Sequence, residues 1–165
     1  MYEHFSENRW SKKTGGYGRP FWKMSKALLA QGRFVIILKG RQAGKKAIVL
    51  SVSESGTNER KYDHALVLGI EKAPKKLTKG MPQETLVKHT KVKTFIKTIN
   101  VNHLLITRHS VKADDDLWNK VKVADIANSL NDPEQKKKIR DTQNEVFRQK
   151  FLNNKLTWLF KPLHF

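Results

Sequence analysis

Between Gly40 and Lys46 the chain reads GRQAGKK, two glycines and three cations within seven residues. Gly40 and Gly44 permit positive φ and a close backbone approach, so a phosphate could meet backbone N–H groups flanked by Arg41, Lys45 and Lys46. A hairpin that only needs glycines would look the same. Nucleotide hydrolysis is not expected, because the spacing is one residue short of G-x-x-x-x-G-K and Lys46 stands where that motif carries Ser or Thr. Nor do the other reactive side chains form a catalytic set. His4, His64, His89, His103, His109 and His164 show no HxxxH or HExxH pairing. His103 and His109 flank an expected strand end, where packing or RNA hydrogen bonding is favoured over proton transfer. Asp114, Asp115 and Asp116 precede Leu117, where carboxylates suit a helix N-terminus better than a metal. Cysteine is absent, which removes disulfides, Cys-based zinc sites and thiol catalysis together. No nucleophile–base pair is indicated, and no enzyme activity, cofactor or metal is expected.

The chemistry that remains is electrostatic. Thirty-three Lys and Arg stand against 15 Asp and Glu, a formal charge of +18 in 165 residues. Self-repulsion on that scale is relieved by a polyanion, and nucleic acid fits because cations that neutralise phosphates release condensed counterions. A membrane is disfavoured, since no apolar run approaches the roughly 18–20 residues that span a bilayer. Residues 1–31 carry six basic and two acidic residues, 32–112 carry 17 and five, and 113–165 carry ten and eight. The basic footprint is therefore expected on the middle segment.

That segment is strand-like. FVIIL from Phe34 and AIVLSV from Ala47 flank the glycine-bearing turn and predict a hairpin. HALVLGI from His64 and VKTFIKTINV from Val92 add further strands, and four or five short strands in about 80 residues suggest a small closed barrel. Between them lies EKAPKKLTKGMPQETLVKHTK, read as a basic loop broken by Pro74, Gly80 and Pro82. The period then changes. Leu117–Leu130 carries a moderate helical pattern, and a second helix is expected from Asp132 to about Phe151. Asp132 is its candidate cap, Pro133 its first residue and Gln135 the capping-box partner. Ile139, Val146, Phe147 and Phe151 form its apolar stripe.

The two ends differ from this body. Residues 1–31 mix Gly15, Gly16, Gly18 and Pro20 with Trp10, Tyr17, Phe21 and Trp22 and read as an arm without a core. Its aromatics suit stacking on unpaired bases or packing on a neighbouring protein equally well. The early Glu3 and Glu7 and the lack of an apolar stretch argue against a secretory signal or a mitochondrial presequence. At the other end, Trp158, Leu159, Phe160, Leu163 and Phe165 must dock somewhere. Self-docking on Ile139, Phe147 and Phe151 competes with docking into RNA or a neighbouring protein. The interleaved Lys155, Lys161 and His164 favour the external site.

Several separated blocks resemble the twenty-seventh (e-type) large-subunit ribosomal protein family of eukaryotes. They are GRFVIILKGRQAGKKAIVL from Gly32, RKYDHALVLGIEKAPKKLTKGM from Arg60, KVKTFIKTINVNHLLITRHSV from Lys91 and NKLTWLFKPLHF from Asn154. The family usually begins close to Gly32, so most of the arm is extra, and His164 stands where Arg is common. The resemblance implies an N-terminal KOW motif on an SH3-like barrel over 32–112; joined to the helical extension expected over 113–165 and the arm over 1–31, it gives an α+β protein. It implies a structural role in the large subunit of the cytoplasmic ribosome, with large-subunit rRNA and neighbouring ribosomal proteins as partners and no homo-oligomer. Assembly would pass through the nucleolus in a nucleated cell. The alternative is a free KOW-type RNA-binding factor acting in transcription or RNA processing. The RNA contacts expected on the barrel are Arg33, Lys39, Arg41, Lys45, Lys46, Arg60, Lys61, His64, Lys75, Lys76, Lys79, Lys88, Lys91, Lys93, Lys97, His103, Arg108 and His109. On the extension they are Lys138, Arg140, Arg148, Lys155, Trp158 and Lys161.

Overall fold

The computed structural model describes residues 28–58, 60–111, 117–129 and 132–163. The expected arm, apart from residues 28–31, lies outside the described residues, as do Asp114–Asp116, His164 and Phe165. Five strands form one antiparallel sheet: β1 (Arg33–Ile37), β2 (Lys46–Ser53), β3 (His64–Lys72), β4 (Lys93–Asn100) and β5 (Leu104–Ser110). Their spatial order is β4-β3-β2-β1-β5, so consecutive strands β4 and β5 occupy opposite edges. Only a 3₁₀ turn, Val101–His103, joins them. Four strand spacings of about 4.8 Å would separate the edges of a flat sheet by roughly 19 Å. The four residue steps from Asn100 to Leu104 reach at most about 14 Å. The sheet must therefore curl into a barrel-like form.

Curling explains why the strand sequences are almost continuously apolar, since both faces are buried. Val35, Ile37, Val49, Val67, Phe95, Ile99 and Leu104 fill the inside together with Leu29. Phe34, Ile48, Leu50, Leu66, Leu68, Ile70 and Ile96 point outward and are covered by the C-terminal third. Inside, Gly69 faces Gly69's register partner Phe95, whose ring occupies the space where a Cβ would stand. The β1–β2 turn is the expected hairpin, with Gly40 at φ 93° and Gly44 at φ 75°.

The segment read as a basic loop contains a helix, α1 (Gln83–His89). Pro82 stands immediately before it, and the Pro82 carbonyl accepts from Thr85 and Leu86. None of its residues is buried, so no apolar stripe marks it in the sequence. The pattern over Leu117–Leu130 resolves into two short helices, α2 (Leu117–Lys120) and α3 (Val123–Asn128). The long helix α4 spans Pro133–Leu152, starting on Pro133 as expected, although the Asp132 side chain makes no cap hydrogen bond. Val146 and Phe147 are buried on the sheet, and Ile139 and Phe151 pack beside them. Asn144 Oδ1 accepts from the Thr94 backbone N–H at 2.7 Å and from its hydroxyl at 2.9 Å, which blunts the β4 edge against further pairing.

After α4 the chain reverses through Asn154 and Leu156, both left-handed at φ 54° and 56°, into α5 (Thr157–Phe160). This short helix lies on the outer face of the sheet. Leu159 and Phe160 are buried, and the Phe160 ring meets Phe151 and Phe147 edge-on. Trp158 packs on Phe34 and His109. The expectation that this segment docks externally is thus corrected for its described part. The long helix leaves the outer sheet face uncovered near Phe34 and Ile70, and the chain's own terminus fills that space.

Candidate nucleic-acid interface

The β1–β2 turn offers less backbone to an anion than its glycines suggest. Ala43, Gly44 and Lys45 donate their N–H groups to Gly40, Ile37 and Gln42 within the hairpin. The space above Gly40 and Gly44 is open, and Lys39 and Arg41 are exposed.

Lys46 is used quite differently. Only 6% exposed, it lies on the outer sheet face, and its Nζ donates to the carbonyls of Trp158 at 2.6 Å and Lys161 at 2.7 Å. It also stands 4.1 Å from the centre of the Trp158 ring. Carbonyls at a helix end lack intrahelical partners, and a cation there satisfies them while opposing the helix dipole. Burial, followed by repulsion from Lys161, pulls the Lys46 ammonium below the ordinary lysine range. Its donors are therefore turned inward on α5 rather than toward a ligand.

Other expected contacts are also engaged within the protein. His64 is buried, with Nδ1 2.9 Å from the Tyr62 carbonyl. Trp158 is half-buried, with Lys46 over its ring and His109 stacked at 4.7 Å. Arg33 donates from Nε to the Leu28 carbonyl and reaches Arg108 O at 3.5 Å. Arg148 joins α4 to the end of α1 through Thr90 Oγ1 at 3.2 Å and pairs with Glu145 at 3.5 Å.

The remaining cations are unevenly placed. Lys39, Arg41 and Lys45 occupy the hairpin end of the sheet, where the Leu38 N–H donates to His103 O. Lys72 and Lys93 are register partners at the same end, which also sends out Lys75 and Lys76. Arg60 and Lys61 lie in the β2–β3 loop and Arg108 near the end of β5, a strand's length away. Lys79, Lys88, Lys91 and Lys97 are exposed along the 73–91 segment and β4. Lys138 and Arg140 sit on the exposed first half of α4, with Arg140 about 18 Å along the axis from its last residue.

At the hairpin end a groove of about 440 Å³ runs between the turn, the segment after β3 and the C-terminal segment. A second hollow of about 290 Å³ continues it, sharing Pro74, Phe160, Lys161 and Pro162. The two bring together Lys45, Lys75, Lys76, Lys155 and Lys161, with Glu71 the acid among their lining residues. Ile70, Pro74, Phe160, Pro162 and Leu163 supply apolar surface. Lys72 belongs to the segment read as a basic loop, whereas the apolar contributions of Pro74, read there as a breaker, and of Pro162 are not anticipated by the sequence. Their neighbouring lysines were the available signal.

A curled antiparallel sheet, covered by helices and gathering several of its cations around a groove at the hairpin end, defines a small basic α+β protein. The chain belongs to the ribosomal L27e protein family, whose profile matches residues 34–165. Large ribosomal subunit protein eL27 of Tetrahymena thermophila is 46% identical over 123 residues, covering 74% of this chain and 82% of that relative. Its counterpart in Candida albicans is 36% identical over 137 residues, covering 83% and 97%. Protein eL27A of Schizosaccharomyces pombe is 34% identical over 138 residues, covering 84% and 98%. Membership of this family makes the chain a structural, non-enzymatic protein.

Proposed function

We propose that the chain is a structural constituent of the large subunit of the cytoplasmic ribosome and binds rRNA through the hairpin end of its sheet. The observation that carries this reading is the convergence of Lys45, Lys75, Lys76, Lys155 and Lys161 from three separated segments on one groove. Cations on an already folded backbone meet a phosphate chain at the cost of their side-chain rotamer freedom alone, so more of the counterion-release gain is kept than on a segment that must first fold. In this reading residues 32–112 are an SH3-like barrel of KOW type, and 113–165 are an extension that covers it. Residues 1–31 are an arm that orders against rRNA or a neighbouring ribosomal protein. The exposed lysines of the 73–91 segment and of α4 add phosphate contacts, whereas Lys46 and His64 act inside the fold. The protein resides in cytoplasmic ribosomes as a single copy, after nucleolar assembly in nucleated cells.

The test is a sucrose gradient of the tagged protein after a high-salt wash. Retention in large subunits supports the proposal. Release into the soluble fractions would favour a free KOW-type RNA-binding factor in transcription or RNA processing.

A further inference from the structure

We propose that the groove beside the C-terminal segment seats one unpaired nucleotide of an RNA strand, its base on the apolar floor and its phosphates on the lysine rim. This rests on the RNA reading above and names the structural state of the RNA it takes. Phosphate contact alone needs only exposed cations, such as Lys97 on β4 and Lys138 and Arg140 on α4. Here the cations Lys45, Lys75 and Lys161 stand around a concave floor that includes Ile70, Phe160 and Pro162. An anion with a flat apolar body matches that pairing, and the charge of the rim selects it over an apolar peptide. A-form duplex keeps its bases stacked inside and presents no such body, whereas loops and bulges splay theirs outward. The main hollow, about 440 Å³, falls within the range of small-ligand sites. Its C-terminal wall is held in advance. Lys46 clamps the Trp158 and Lys161 carbonyls, and Phe160 is anchored on Phe147 and Phe151, so binding need not order the wall.

Ala73 is an exposed groove residue between β3 and Pro74. Ala73→Leu narrows the hollow by three side-chain carbons and leaves the charge unchanged. The full chain and this variant are titrated by fluorescence anisotropy with a short oligouridylate and with a fully paired RNA duplex of equal phosphate number. The proposal expects A73L to lose roughly tenfold in affinity for the single strand, the scale of one seated base. Duplex affinity and melting temperature stay at the wild-type values. Unchanged single-strand affinity, or an equal loss for both RNAs, overturns the groove proposal and leaves the RNA reading intact. Failure of the wild-type chain to bind either RNA removes both. A second measurement uses the wild-type chain alone. Ultraviolet cross-linking to a 4-thiouridine oligonucleotide, mapped by mass spectrometry, should mark residues 70–76 or 154–163, and adducts confined to other segments overturn the proposal.

Discussion

Phe160→Ala tests whether the C-terminal segment is part of the fold. Phe160 is 8% exposed, and its ring centre lies 5.4 Å from Phe151 and 6.4 Å from Phe147 at steep interplanar angles. Truncating a buried Phe to Ala costs about 3–5 kcal/mol, the sum of lost transfer energy and the cavity left behind. A lower bound on what docking supplies comes from the return turn. Leu156 is held at φ 56°, a conformation costing roughly 1–2 kcal/mol for a residue with a Cβ, so docking must exceed that. Against a total stability of about 5–15 kcal/mol, the truncation removes a large share. At about 2–4 °C per kcal/mol for a chain of this size, Tm should fall by roughly 6–20 °C. Thermal and urea denaturation of the purified protein measure this, with Lys76→Ala, an exposed groove lysine, as the control expected within about 0.5 kcal/mol of wild type. A Phe160→Ala Tm within about 2 °C of wild type would falsify the self-docked arrangement and return the segment to an external partner.

Lys46→Met should destabilise by about 1–3 kcal/mol, because it leaves the Trp158 and Lys161 carbonyls without their donor. The folded pKa of Lys46 is lowered, so the unfolded chain binds more protons between that value and the ordinary lysine value. Stability of wild type relative to Lys46→Met should then rise with pH through that window and be flat below it; a fall in urea midpoint difference there would reject the sign. Asn144→Ala removes the acceptor of the Thr94 N–H and hydroxyl, and Thr94 is 1% exposed. The expected loss is about 1–3 kcal/mol with faster amide exchange at Thr94, and an unchanged exchange rate would argue against that edge contact. Gly69→Ala should cost more than 1 kcal/mol, on the order of an overpacked core, because the new Cβ displaces the Phe95 ring. If binding neutralises about 8 phosphates, rRNA affinity should drop some thousands-fold between about 50 and 200 mM salt. A salt-independent binding constant would contradict the electrostatic reading.

Much of this protein is written in local sequence. Continuous β-branched runs such as Phe34–Leu38 and Ala47–Val52, with glycines between them, specify strands and a hairpin whatever the rest of the chain does. Pro133 and the spacing of Val146, Phe147 and Phe151 likewise specify α4, because helix start and stripe depend on neighbours a few residues apart. Helix α1 was not legible, since a helix that buries nothing needs no apolar period. Two decisions belonged to tertiary structure alone. Lys46 is indistinguishable in sequence from Lys45, yet strand alternation turns it onto the outer face, where α5's carbonyls hold it; this contact spans 112 residues from Lys46 to Trp158. Where Trp158–Phe160 would dock depended on the area of sheet that α4 leaves open, which no local pattern encodes. The groove exists for the same reason, because its walls meet only after the sheet curls and the terminus folds back. Composition determines that the chain carries excess positive charge, and packing determines which lysines face a partner and which are enclosed by the protein itself.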